Sequence, residues 1–248
     1  MTSVSTTMNP SPAPTDLTAT RLDLQRLAVH VLSRRRHAVT GRIGLRPAPG
    51  GLATPAFGDG PEVVRIDGRY LVHERGDRAT VVPITTLAAA AELVGVDLSD
   101  EFSVGAHTPP LSAVDEPVQL DEDHVRLLAA WWGFGVEVID EAIVGTSAAD
   151  APTLQLWPEH FDVAGTVTVN GQKLNIGASP GDEVEPTPYL YVGPWSVDRP
   201  GDARYWNASF GALERADDLP ADGRRAAAVD FLLDGLRRFC EIPEKAGG

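Results

Sequence analysis

Val63-Val64-Arg65-Ile66-Asp67-Gly68-Arg69-Tyr70-Leu71-Val72 is the stretch from which the fold can be read. Two apolar-rich runs flank Asp67-Gly68, and an Asp-Gly pair accepts the positive φ angles of a tight turn. The segment is expected to be a β-hairpin. A second signal of the same kind lies further along, where residues 163–169 and 172–176 flank Asn170-Gly171.

Around the first hairpin the pattern extends both ways. Gly76-Asp77 makes another turn, into a strand over 79–84. Upstream, Val39, Gly41, Ile43 and Leu45 alternate with Thr40, Arg42 and Arg46, the period of a half-buried strand. Residues 47–51 are turn material, and 52–57 return as a strand that Pro55 makes an edge. Leu24, Leu27, Ala28, Val31 and Leu32 recur at helical spacing and predict a helix over 17–36, capped by Thr15 or Asp16. After the meander, Thr85 or Thr86 starts a helix through Ala88, Ala91, Leu93 and Val94.

The second hairpin has similar surroundings. Val125, Leu128, Ala129, Trp132, Val136 and Ile139 predict a helix over 121–143, with Gly133 and Gly135 as points of interruption. Strands are expected at 154–157, 188–192 and 205–213. A closing helix over 224–240 carries Val229, Leu232, Leu233, Leu236 and Phe239. The expected class is α+β: two similar halves, each helix, antiparallel β-meander, helix, packed as a pseudo-twofold pair. Residues 1–15 read as a Ser/Thr/Pro-rich disordered tail, 16–100 as the first half and 101–120 as a Pro-containing connector. Residues 121–241 read as the second half and 242–248 as a flexible tail.

Composition limits the function classes. The chain has 248 residues and a formal net charge of -14, a field that repels nucleic acid and anionic membrane surfaces. No apolar run reaches membrane-spanning length, and the N-terminus has no signal-peptide core. The single cysteine, Cys240, excludes an intramolecular disulfide and fits a cytoplasmic protein. Cys240 is expected to be a buried helix residue beside Phe239. Arg34, Arg35, Arg36, Arg42 and Arg46 form one basic cluster, read first as a cationic helix end and second as an anion site.

Three segments could carry chemistry. Trp157-Pro158-Glu159-His160-Phe161-Asp162 packs aromatics, an imidazole and carboxylates together. If it is extended, His160 and Asp162 share a face, and Asp162 could orient His160 as a general base. A metal would need a third ligand from Asp182, Glu183 or Glu185, so no metal or cofactor is assigned. The plainer reading is a structural histidine among core aromatics. Asn175-Ile176-Gly177-Ala178-Ser179-Pro180-Gly181-Asp182 is either a ligand-cradling loop or a linking turn. Tyr189-Leu190-Tyr191-Val192-Gly193-Pro194-Trp195 places Tyr189 and Tyr191 on one face, where they stack a planar ligand or join the core. His30, His37, His73, His107 and His124 have no metal-motif spacing.

Taken in order, the three segments resemble a family of uncharacterised bacterial proteins, of actinobacterial type, that carry Trp-Pro-His-His-Phe-Asp, Ser-Pro-Gly-Asp and Pro-Tyr-x-Tyr-Val-x-Pro-Trp. The match covers about 154–195 and departs at Glu159, where the family often has a second histidine. Thr40-Gly41-Arg42-Ile43 and Gly51-Leu52-Ala53-Thr54 are similar, more weakly, to stretches of a bacterial domain family of unknown function. The resemblance implies that the three segments act as a unit.

The functional expectation is a protein that binds a small molecule in a cleft lined by Trp157, Glu159, His160, Asp162, Ser179, Asp182, Tyr189, Tyr191 and Trp195. The alternatives are a hydrolase, metal-assisted or not, using His160, Asp162 and Asp182, and a non-catalytic scaffold. A homodimer is compatible with each.

Overall fold

The computed structural model describes residues 17–146 and 151–240; the expected tails and the Thr15 or Asp16 cap lie outside the described residues. The protein is α+β, with two five-stranded antiparallel sheets whose strands follow chain order within each sheet.

The first helix is longer than its apolar stripe implies. α1 (Thr18–Leu27) runs through a π-helical segment (Ala28–Ser33) into α2 (Arg34–Thr40). Residues 39–45 are therefore not the strand that their alternation suggests. The helix ends where Gly41 takes a left-handed φ of 69°, donating to His37 O. The first sheet follows as β1 (Arg46–Ala48), β2 (Gly51–Ala53), β3 (Glu62–Asp67), β4 (Tyr70–Arg75) and β5 (Arg78–Pro83). Asp67 pairs with Tyr70, so the central turn residues are Gly68 and Arg69, not Asp67 and Gly68. Gly68 alone has positive φ, 58°, which matches a Gly-first type II′ turn. α3 (Leu87–Leu93) is capped by the Thr86 side chain, which accepts from Ala89 N.

The connector packs as part of the fold. Its Val114, Val118 and Leu120 lie against the core. Ala88 N donates to Val114 O and Val118 N to Thr85 O.

α4 (Glu122–Val144) starts at Asp121, whose carboxylate accepts from Asp123 N and His124 N. It runs unbroken through Gly133 and Gly135. Gly135 is a close-approach point: a Cβ there would overlap the Ala178 methyl. The second sheet comprises β6 (Gln155–Trp157), β7 (Asp162–Val169), β8 (Gln172–Ser179), β9 (Tyr189–Pro194) and β10 (Ala212–Arg215). Asn170 and Gly171 are the central turn residues, with φ of 47° and 73°, as a type I′ hairpin requires. Residues 205–211 are irregular rather than the start of a strand. α5 (Arg224–Cys240) closes the chain. Phe239 is fully buried, but Cys240 is exposed, contrary to expectation, because successive helix residues point about 100° apart.

The two sheets touch edge to edge before β1 and at β6. Leu45 N donates to Leu156 O at 2.8 Å, and Leu156 N to Leu45 O at 2.9 Å. α4 packs on β1 and β2 of one sheet and on β7 and β8 of the other. One contiguous apolar core therefore spans both halves, with Leu32, Leu52, Ile66 and Leu71 at one end and Leu174, Ile176, Leu190 and Leu236 at the other.

Candidate functional site

The inward face of the second sheet is apolar, so its polar residues collect on the outward face. Asp162 precedes Val163, the partner of Ala178, and so lies beside Ser179, which pairs with Tyr189; Gly177 pairs with Tyr191. Period-2 alternation puts Asp162, Gly177, Ser179, Tyr189 and Tyr191 on one face. The Tyr191 hydroxyl donates to Asp162 Oδ2 at 2.5 Å, and the Tyr189 hydroxyl to Asp182 Oδ2 at 2.6 Å. Gly177 makes room for the Tyr191 ring, since a Cβ there would lie 2.6 Å from it. Phe210 stacks on Tyr189 at 6.4 Å and meets Tyr191 edge-on at 6.1 Å.

This network is sealed rather than open. Asp162 is 4% exposed, and among the described residues its Oδ1 has no hydrogen-bond partner. Burial pushes the Asp162 carboxyl above the usual carboxylate range, and the Tyr191 hydrogen bond opposes that only in part. Burial and the Asp162 charge hold the Tyr191 hydroxyl well above its ordinary value. Asp182 spends its other oxygen on the chain: Oδ1 accepts from Val184 N at 2.8 Å and Glu185 N at 2.9 Å. The Ser179 hydroxyl accepts from Gly181 N at 3.2 Å. Residues 175–179 are strand, so the loop itself is only the stretch after Ser179.

His160 does not join this network. Trp157 pairs with Asp162, so 158–161 form a four-residue hairpin loop, with Phe161 at a left-handed φ of 58°. The segment is not extended at His160, and among the described residues no hydrogen bond joins the imidazole to the Asp162 carboxyl, although the two are near enough to interact through charge. His160 has a side chain 57% exposed and approaches Glu159 instead, with Nε2 3.9 Å from Oε2. Phe161 is core, edge-on to Trp132 at 4.9 Å. Trp157 Nε1 donates to Ala164 O at 3.2 Å. Trp195 stands apart, 61% exposed, paired with Lys173 at the opposite end of β8 from Ser179. Its indole donates to Asn175 Oδ1 and carries the Lys173 ammonium 4.9 Å above the ring.

Of the basic cluster, Arg34, Arg35 and Arg36 are committed to internal partners, while Arg42 and Arg46 are exposed. Arg35 clasps Glu62 with Nε at 2.7 Å and Nη2 at 2.8 Å, and His73 Nε2 contacts the same carboxylate at 2.8 Å. Burial alone would raise the Glu62 carboxyl, but the hydrogen bonds from Arg35 and His73 outweigh it and hold it below the ordinary value. Arg36 is buried on Gly44 O, and Arg34 donates to Asp100 O at 2.8 Å.

Two features were not read from the sequence as they stand in the fold. One is a groove of about 600 Å³ walled by Leu127, Trp131 and Phe134 of α4 and by Pro186 and Pro188, with Arg224 at its edge. It borders the Ser179 loop, because Trp131 Nε1 donates to Ser179 O at 2.6 Å, but it takes none of the nine residues singled out in the sequence. Trp131 reads as one more helix aromatic until the loop after β8 is seen to fold over it. The other is a histidine-carboxylate group. Among the described residues, His107, Glu159 and His160 bring one ligand atom each within 4.8 Å of one another. The third member comes from the connector, not from Asp182, Glu183 or Glu185. No family model matches this chain, and neither does any curated protein or solved structure, so its function is argued from geometry alone.

Proposed function

We propose that the protein is a small-molecule binding protein, and that its ligand is an amphipathic anion with a flat apolar body held in the groove beside α4. The observation that carries this reading is Arg224. Among the described residues no ion pair is formed by its guanidinium, which donates to Ala216 O at 2.8 Å and sits 5.9 Å above the Phe134 ring. Arg224 shares the groove lining with Asp217 but makes no ion pair with it, so its guanidinium is available to a carboxylate, sulfonate or phosphate group. Trp131 and Phe134, whose ring centroids are 5.7 Å apart, offer an apolar wall for the ligand body.

In this reading the halves form a pseudo-twofold pair. Its support is their like order of helix, five-stranded meander and helix, and the reciprocal Leu45–Leu156 bonds at their junction. The groove then belongs to the join, since α4 packs on both sheets. A cytoplasmic location goes with the reading, supported by one cysteine in 248 residues.

The test uses 8-anilinonaphthalene-1-sulfonate, a flat apolar anion, and reads its fluorescence. The wild-type protein is expected to saturate at one equivalent. Arg224→Gln and Phe134→Ala should each weaken binding by about tenfold, roughly 1.4 kcal/mol. Equal binding by wild type and both variants, or no saturable binding, would sink the proposal.

A further inference from the structure

We infer that His107, Glu159 and His160 form a binding site for a divalent transition-metal ion of the zinc class. The site is separate from the groove and does not depend on it.

The geometry comes from two segments far apart in the chain. His107 belongs to the connector, and Glu159 and His160 to the β6–β7 hairpin loop. His107 Nδ1 lies 3.6 Å from Glu159 Oε1, and His160 Nε2 lies 3.9 Å from Glu159 Oε2. Ligand atoms around one zinc ion, each ~2.0–2.2 Å from it, sit about 3–3.5 Å apart. Taking one ligand atom from each residue, the three lie within 4.8 Å of one another, so the side chains need to draw in by up to about 1–2 Å, and rotamer changes of exposed side chains supply that. The two imidazoles already neighbour one another, with centroids 5.2 Å apart.

The backbone beneath is held in place. Gln25 of α1 donates through Nε2 to Glu159 O at 2.8 Å and to Pro158 O at 3.3 Å, pinning the hairpin loop. The connector turn is tied by Thr108, whose Oγ1 accepts from Val104 N at 2.9 Å and donates to Gly105 O at 2.7 Å. Gly105 is required there, since its φ is 146° and a Cβ would overlap the Glu159 carboxylate. His107 N donates to Glu159 Oε1 at 3.2 Å, which aims the carboxylate at the imidazoles.

The charge pattern agrees. The Glu159 side chain is only 22% exposed, yet among the described residues it has no lysine or arginine partner, and its charged-group neighbours are the two histidines. Two imidazoles and one carboxylate suit zinc, cobalt, nickel or copper rather than calcium or magnesium, which prefer all-oxygen sets. Three protein ligands leave at least one coordination position for water or a substrate atom, the pattern of an open site.

The experiment is calorimetric titration of untagged, chelator-treated protein with zinc chloride. One equivalent is expected to bind. His107→Ala and His160→Ala should each weaken binding by more than about tenfold, while Glu159→His, which keeps a ligand at that position, retains it. His37→Ala, an exposed histidine outside the group, should match wild type. Far-UV circular dichroism checks that each variant is folded; both ligand histidines are more than half exposed, so neither substitution removes core packing. The inference is overturned if wild type shows no saturable one-to-one binding. It is equally overturned if either histidine variant, or His37→Ala, breaks this pattern by keeping or losing affinity out of turn.

Discussion

Gly133 and Gly135 lie two residues apart in the same helix, and the structure predicts that replacing them with alanine has opposite effects. In a helix interior, alanine is better than glycine by ~1 kcal/mol, because glycine loses more backbone entropy. Both substitutions gain this contribution. At Gly133 nothing lies within 4 Å of the new methyl, so the gain should appear in full, as ~1 kcal/mol of stability. At Gly135 the methyl would overlap the Ala178 Cβ on β8. Neither atom is at the end of a flexible chain, so α4 must lift from the sheet, and such overpacking costs ~1–3 kcal/mol. The net for Gly135→Ala is a loss of up to ~2 kcal/mol. For a chain of this length, ~1 kcal/mol shifts Tm by about 2–4 °C, so the two variants should separate clearly. Urea denaturation followed by circular dichroism and a thermal scan would measure both. Adding Ala178→Gly to Gly135→Ala removes the overlap and should recover part of the loss. If both single variants shift stability equally and in the same direction, the close packing of α4 on β8 is wrong.

Other buried groups make further predictions. The folded pKa of Asp162 is raised, so the folded state holds that proton more tightly than the unfolded chain does. The Asp162 contribution is then most favourable in acid and is lost as pH rises through the folded value. Asp162→Asn, which can still accept from Tyr191, should be more stable than wild type at neutral pH, with the gap closing towards about pH 4. Tyr191→Phe removes the hydrogen bond to Asp162 Oδ2 and should cost ~1–3 kcal/mol in a denaturant titration. Glu62 has the opposite sign, since its folded pKa is lowered. Its stabilisation is present above the unfolded value and lost as pH falls through the folded one. Glu62→Gln should therefore cost ~1–3 kcal/mol at neutral pH and little in acid; an equal cost at both would refute the ionic account. Cys240 is exposed and should react with a thiol reagent in the native protein without denaturant.

Some of this was legible from one sequence. Asn170-Gly171 has one favourable hairpin conformation, and the structure adopts it. The closing helix over 224–240 follows its apolar stripe from end to end. Where local signals competed, sequence reading went astray. Residues 39–45 alternate like a strand, but an established helix extends cheaply by one residue at a time, so it ran on to the first residue that favours its end, Gly41. Residues 158–161 alternate too, but the Trp157–Asp162 pairing made them a turn, which set the His160 imidazole beside Glu159.

The sequence by itself determined the class and most of its elements, because hydrophobic period, turn chemistry and helix caps act over a few residues. It also marked Asp162, Ser179, Asp182, Tyr189 and Tyr191, which do meet, because strand alternation and pairing follow from local pattern. Tertiary structure alone decided which polar groups became accessible. Asp162 was sealed beneath its neighbours while Glu159 and His160 stayed at the surface. Only the fold brought His107 from the connector to them, and placed Arg224 over Phe134. Those partners are far apart along the chain, and no periodicity records a contact made by packing two separate segments on one core.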